Sequence, residues 1–388
     1  MNNVIKPFEF ATVAEIIVEW AGAERLGEIL QTRLRARNAL LVTDPGLVKA
    51  GVLPPVLFSL REAGFQVTLY DQVQADPQEC IVRKATRVAR EHHCDMVIGL
   101  GGGSSLDVAK LAAVLIPSEQ EVQDLYGIGK VSGQRLPLVQ IPTTAGTGSE
   151  VTNIAILTTG ENSKMGVVDR QLYCDLVLLD AQLTLGLPRV HTAAAGIDAM
   201  VHAIEAYTGK HKKNPISDAL AREALCLISR HLVTACHDGQ NREARESVLL
   251  GALLAGQAFA NSPVAAVHAL AYPLGGRHHI PHGLSNALML VPVLRFNAAV
   301  AAPLYAELAA VVGVGGTGNV EQDAQAFIDE MQRIIVASGA PQRLRDVDIQ
   351  QGDLPVLAHD AMQQTRLLVN NPRKLSEADA LQLYQQAF

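Results

Sequence analysis

At 388 residues, with 48% hydrophobic and 18% charged side chains, the chain is long enough for two domains with sizeable cores. Aromatic residues make up only 4%, so those cores are built mainly from Ala, Leu, Val and Ile. A net charge of −7 speaks against nucleic acid or an anionic membrane as partner.

Five scattered cysteines (Cys80, Cys94, Cys174, Cys226, Cys236) form no CxxC pair and read as thiols of a reducing compartment. The start MNNVIKPFEF lacks a basic stretch leading into an apolar one, so no leader is expected. The most apolar long window, 298–316, holds Pro303 and Glu307 and falls short of a membrane span. The expectation is a cytoplasmic protein with a small-molecule substrate, no nucleic acid and no membrane. The basic run Lys210–Lys213 reads as a solvated loop.

In chain order, strands are expected at 38–43 (NALLVT) and 65–70, with a helix over 47–63 between them. A helix at 77–92 and a third strand at 95–100 (DMVIGL) follow, then strands at 136–141, 154–158 and 176–180. Short apolar runs separated by helices point to a doubly wound, Rossmann-like α/β domain with a parallel sheet, residues 1–187. After Leu187 only helical spacing remains: 192–207, 217–236, 243–260, 264–274, 298–312, 320–338 and 376–387. Gly209 and Gly313 stand where helices stop, and the Gly-rich 312–319 reads as a surface loop. Residues 188–388 therefore form an all-α domain, and a nucleotide belongs with the first half.

The segment GLGGGSSLDVAK, 99–110, follows a strand and opens a helix. Glycines let a backbone approach phosphate, and a helix N-terminus supplies free N–H groups. Ser104 is expected as N-cap, with Asp107 at the capping-box position. The pattern is not GxGxxG, and no acidic residue follows it by some 20 positions. Asp44, at the end of LLVTD, can instead accept ribose hydroxyls and repel a 2′-phosphate, which favours NAD; it can equally cap a helix at Pro45. The segment PTTAGTGSEVT, 142–152, offers hydroxyls and glycines to a cofactor or forms a plain turn.

Asp198 and His202 sit four apart on one face of a helix, among Ala199, Ala203 and Ala206. Burying them there costs about several kcal/mol unless something pairs with them. Gly196 would let another backbone, or the cofactor, come close. His268 lies in a helical stretch and His282 between Pro281 and Gly283, with a Gly275–Gly276 turn able to fold one towards the other. Three imidazoles and a carboxylate suit Fe2+ or Zn2+, but His278 and His279 are rivals that spacing alone does not eliminate.

Together these motifs resemble the iron-containing (group III) alcohol dehydrogenase family over nearly the whole chain: GGGSSLDVAK, PTTAGTGSEVT, GIDAMVHAIEAY, HALAYPLGGRHHIPHG and the tail NNPRKLSEAD. The resemblance implies a homodimer or larger homo-oligomer, and Asp198, His202, His268 and His282 as ligands of the catalytic metal. It puts Gly102, Gly103 and Ser104 on the pyrophosphate and Asp107 near the nicotinamide. Thr143, Thr144, Thr147, Thr152, Lys164 and Leu183 would line the cofactor, and Asp44 would discriminate NAD from NADP. Many members carry a histidine four residues after the third ligand as a proton relay; this chain has Tyr272, leaving His278, His279 or water with ribose hydroxyls for that role.

The expected reaction is hydride exchange between a small primary alcohol and nicotinamide, with the metal as Lewis acid. Arg277, His278 and His279 would favour a carboxylated semialdehyde if they line the site. Alternatives are a polyol dehydrogenase, a maleylacetate reductase, a dehydroquinate-synthase-like lyase, and a non-catalytic nucleotide-binding subunit.

Overall fold

The computed structural model describes residues 7–160 and 163–388; the MNNVIK start, on which the expectation of no leader partly rests, lies outside the described residues. By its internal contacts the chain divides into two compact units. The first comprises Thr12–Pro188 and Asp238–Leu250. The second comprises Arg189–His237 and Gly251–Phe388, with the described part of the stretch ending at Ala11.

The first unit holds β1 (Glu15–Val18), β2 (Asn38–Val42), β3 (Gln66–Tyr70), β4 (Met96–Gly101), β5 (Gly127–Ile128), β6 (Leu138–Pro142), β7 (Ile154–Thr159), β8 (Ser163–Val168) and β9 (Leu176–Leu179). Its helices are α1 (Leu26–Gln31), α2 (Pro45–Lys49), α3 (Leu53–Glu62), α4 (Glu79–Glu91) and α5 (Gly103–Leu115). The main sheet runs β3-β2-β4-β6-β9-β1 with every pair parallel. From β2 the chain goes out to β3, then returns past β2 to β4, β6 and β9. This reversal opens a crevice at the carboxyl ends of β2 and β4, where such sheets hold ligands.

The sheet is covered on both faces, which is why its inner strands read as unbroken apolar runs. Met96, Ile98 and Leu100 of β4 join Leu26, Leu30 and Leu60 in one core cluster. A Cβ on the alternate residue Gly99 would instead meet Leu106 and Ala109 of α5, so α5 covers the opposite face.

Three expectations need correction here. The helix expected over 47–63 is two, α2 and α3, because Gly51 takes φ +74° between them. The strand at 154–158 is not part of the parallel sheet. As β7 it pairs antiparallel with β8, and β5 extends this second sheet, order β5-β8-β7. Alternating burial along β7 fits a half-covered hairpin. Finally, three strands were not expected: β1 and β5 are only four and two residues long, and the apolar residues of β8 are broken by Gly166.

The second unit holds α6 (Arg189–Thr208), α7 (Pro215–His237), α9 (Ala266–His278), α10 (His282–Val312), α11 (Val320–Ser338), α12 (Leu354–Ala361), α13 (Thr365–Leu368) and α14 (Glu377–Ala387). Helix α8 (Arg242–Asn261) contributes its residues from Gly251 onward. The helix expected at 298–312 is the second half of α10, which continues through Pro292 and Pro303. At 31 residues, α10 is long and apolar enough by length and composition to cross a membrane, unlike the window read from sequence. Of its most apolar window, 56% is buried within the protein, which accounts for the composition as core.

Candidate metal centre and dinucleotide loop

The glycine loop lies at the end of β4. Gly102 is the N-cap of α5 and supplies no side-chain cap, so the expected Ser104 cap with Asp107 is corrected. The chain enters the helix two residues early because glycines permit the turn. The N–H groups of the first turn thereby receive no cap from the N-cap side chain. Space is tight on every side. A Cβ at Gly101 would lie 2.7 Å from Ser105, one at Gly103 2.9 Å from Thr147, and one at Gly102 3.5 Å from Thr144. Thr143 continues the pairing by donating its N–H to the Gly101 carbonyl at 3.0 Å.

Asp44 takes the capping part that the sequence allowed, and one carboxylate oxygen stays clear of the cap. Its Oδ1 accepts from the N–H groups of Gly46 and Leu47, capping α2. Its Oδ2 points towards Gly101, 3.5 Å from where a Cβ would stand. The carboxyl ends of β2, β4 and β6 thus gather Asp44, Gly102, Gly103, Ser104, Thr143, Thr144 and Thr147.

Asp107 and Thr152 are engaged differently, around the fully buried Lys110. The Lys110 Nζ donates to Ser149 Oγ (2.8 Å), Thr152 Oγ1 (3.1 Å) and the Ile154 carbonyl (2.7 Å). Asp107 accepts from Ser149 Oγ at 2.6 Å and from the Ile156 N–H at 2.9 Å. Burial pushes the Lys110 ammonium below its ordinary value, against the pull of Asp107. This network ties the 149–156 segment to the back of α5. Lys164, on β8, pairs with Asp76 at 2.6 Å, and Leu183 packs against the sheet core after β9.

The second unit brings four side chains together from three helices. Asp198 and His202 come from α6, His268 from α9, and His282 is the first residue of α10. Gly275 and Gly276 do not make the reversal. They lie inside α9, and the turn comes at His279, φ 55°, and Pro281. Gly283 then allows α10 to press on α6, since a Cβ there would fall 2.2 Å from the Ala194 carbonyl oxygen. Gly196 receives Leu232 of α7, not another backbone.

Asp198 Oδ1 is the focus. His282, His268 and His202 present Nε2 at 3.5, 3.7 and 3.9 Å from it. Asp198, His268 and His282 offer donor atoms within 4.8 Å of one another; His202 flanks them, stacked between Phe259 (4.2 Å) and His268 (4.8 Å). Asp198, His202 and His268 are buried, while the His282 side chain is 35% exposed. Burial pushes the Asp198 carboxyl up, but His202, His282, His268 and an Asn286 hydrogen bond together hold it below the usual range. Donors about 2.1 Å from a tetrahedrally bound cation stand about 3.4 Å apart, so this donor set fits one divalent ion.

Family models for iron-containing alcohol dehydrogenase match residues 14–181 and, for its C-terminal part, 192–388. The chain belongs to the iron-containing alcohol dehydrogenase family. It is 41% identical to long-chain-alcohol dehydrogenase 1 of Geobacillus thermodenitrificans, covering 96% of this chain and 94% of that one. It is 36% identical to sulfoacetaldehyde reductase of Bilophila wadsworthia, with 96% and 97% covered. A solved 1,3-propanediol oxidoreductase superposes with a TM-score of 0.95 at 36% identity, covering 99% of this chain and 100% of that one. Like its family, the chain is an oxidoreductase that interconverts an alcohol and its aldehyde and depends on a metal and NAD(H).

Two residues of this iron-containing dehydrogenase escaped the sequence reading although helical spacing points to them. Asn286 is four after His282. Its Nδ2 donates to Asp198 Oδ1 at 2.5 Å and lies 3.3 Å from both His268 Nε2 and His282 Nε2. Its own Oδ1 is buried without a hydrogen-bond partner, which marks a spot where a further group is expected. Glu205 is three after His202 and contacts the His268 ring from behind.

The relay candidates fall on one helix. The Tyr272 ring stands 5.8 Å from that of His282 and 6.5 Å, edge-on, from that of His268. His278 ends α9 and His279 is its exposed C-cap. Arg277 is ion-paired with Asp360.

Proposed function

We propose that the protein is an NAD-dependent dehydrogenase of small primary alcohols, working with Fe2+ held by Asp198, His202, His268 and His282. The observation that carries this is the convergence of three imidazole nitrogens on a single buried carboxylate oxygen. A cation there supplies Lewis acidity to the reacting oxygen, and NAD(H) takes or gives the hydride. Asp198 and His268, both buried, hold the donor set rigid, and His282 is its exposed member. Zn2+ satisfies the same donors.

On the nucleotide side, Gly102, Gly103 and Ser104 present N–H groups for pyrophosphate, with Thr143, Thr144 and Thr147 around them. Asp44 Oδ2 is left to accept ribose hydroxyls, which disfavours a 2′-phosphate. Asp107, Thr152, Lys164 and Leu183 stand in outer positions. Asp107 reaches the nicotinamide only with lone pairs not already given to Ser149 and Ile156. With Tyr272 in the relay position, proton exchange falls to water, ribose hydroxyls, His278 or His279.

A neutral substrate fits the surroundings better than a carboxylated one. Arg277 spends its charge on Asp360, and Phe259, Tyr272 and Leu368 pack on Val264, Ala269 and Leu367 beside the imidazoles. The sulfoacetaldehyde-reducing relative keeps the anionic alternative in play. Matched neutral and carboxylated aldehydes of equal length distinguish them; faster reduction of the acid would reverse the preference. Five free cysteines support a cytoplasmic setting, and the family likeness leads us to expect a homo-oligomer.

His268→Ala tests the central reading. The variant is expected to lose bound metal and turnover while keeping its NAD affinity. Unchanged turnover would remove His268 from the ligand set.

A further inference from the structure

Helix α6 carries a third polar residue in register with the two that face the metal donors. Asp198, His202 and Glu205 follow at i, i+4 and i+7, which places them on one face. Glu205 is buried, with 3% of its surface exposed. Its two oxygens meet three donors. Oε1 accepts from the Val267 N–H at 2.6 Å, and Oε2 from the Ala265 N–H at 2.8 Å and from His268 Nδ1 at 2.7 Å.

We propose that Glu205 is a positioning residue for the metal centre: one buried carboxylate holds the first turn of α9 and fixes His268 so that Nε2 faces the cation. The proposal rests on the metal reading above. Ala265 is the N-cap of α9 and offers no side-chain cap of its own, so Glu205 reaches across from α6 to satisfy the orphaned N–H groups there. A carboxylate has no proton to give, so its oxygens only accept and the imidazole nitrogen facing Oε2 donates.

That choice propagates through the ring. A neutral imidazole carries one N–H and one lone pair, so a proton fixed on Nδ1 leaves the lone pair on Nε2. Nε2 is the atom 3.7 Å from Asp198 Oδ1. A carboxylate behind a ligating histidine sets its tautomer, orients the ring and raises its basicity, and losing such a partner weakens metal binding about 10- to 100-fold. Because Glu205 grips Ala265, Val267 and His268 itself, the docking of α9 and the aim of its ligand depend on the same side chain.

A role in helix capping alone would make a different prediction, which the experiment separates. Wild type and Glu205→Gln are stripped of metal, then titrated with Co2+ against a competing chelator, while visible absorption reports the ligand geometry. The expected result is one bound Co2+ in wild type and a 10- to 100-fold weaker site with an altered spectrum in the variant. NAD affinity should stay within about twofold, since the glycine loop is untouched. An unchanged Co2+ affinity and spectrum in a variant that merely melts lower would overturn the proposal. If wild type itself takes up no Co2+, the metal reading fails and takes this one with it. Should Glu205→Gln not fold, nitrogen NMR of His268 in metal-free wild type decides. The proton belongs on Nδ1, and finding it on Nε2 would refute the assignment.

Discussion

The metal centre and the glycine loop solve opposite problems. The loop is a local device: three consecutive glycines, a strand before and a helix after produce a cradle whose walls are backbone. The metal centre is a tertiary device. Its candidate donors come from positions 198, 202, 268 and 282 on three helices, where Gly283 lets α10 press against α6 and Glu205 hydrogen-bonds the start of α9. One site is therefore sensitive to added volume, the other to lost side chains.

Removing the cation should give the largest effect and the sharpest separation. Dialysis against a chelator is expected to cut turnover by about a thousandfold or more, several kcal/mol of barrier, while NAD titration still shows one normal site. Loss of NAD binding on chelation would show that the two regions are not independent in this sense.

Next in size is Gly101→Ala. The new Cβ lies 2.7 Å from Ser105 at a backbone φ of +155°, a conformation that costs an L residue about 1–3 kcal/mol. NAD should bind about 10- to 100-fold more weakly with metal content intact. A variant that binds NAD normally would show that the loop has slack the structure does not reveal.

Asp44 offers a finer cut. Asp44→Asn keeps an oxygen for the α2 cap but removes the charge, so NADP use should rise with little change in melting temperature. Asp44→Ala loses both, and the missing cap should cost about 0.5–2 kcal/mol of stability. If the two variants handle NADP differently, charge is not what excludes the 2′-phosphate.

The last effect concerns stability alone. Burial pushes the Glu150 carboxyl from 4.5 up to about 7, with Lys110 pulling the other way. A raised folded-state value means stability present below about pH 4.5 that is lost as pH rises through 7. Glu150→Gln escapes that loss, so it should exceed wild type by about 1–3 kcal/mol at pH 8 and match it below pH 4.5. Equal stability differences at both pH values would contradict this.

Much of the metal site was legible because helical spacing is a one-dimensional record of a shared face: Asp198 with His202, and, unread, Glu205 and Asn286. The loop was legible as a glycine turn from strand into helix, yet its details were not. Nothing in GGGSSLDVAK reveals that Asp107 turns away to Ser149 and Ile156, because that depends on a segment beginning 42 residues on. Lys110 looked like an ordinary helix residue, and only its burial against 149–154 gives it a role. The hairpin β7–β8 failed to register for a similar reason: half-covered strands lack the unbroken apolar runs of the parallel sheet.

Composition and periodicity alone determined an α/β half followed by a helical half, a glycine-rich strand-to-helix loop in the first and a carboxylate-plus-imidazole pair on one helix face in the second. These follow from local rules, since strand and helix periods and glycine's freedom act within a few residues. Tertiary packing decided the rest. Which histidines meet Asp198, where α9 reverses into α10, and which polar groups stand behind the donors are set by close approach between segments far apart in the chain. Such contacts are paid for by burial of whole helix faces, a quantity that no short stretch of sequence carries.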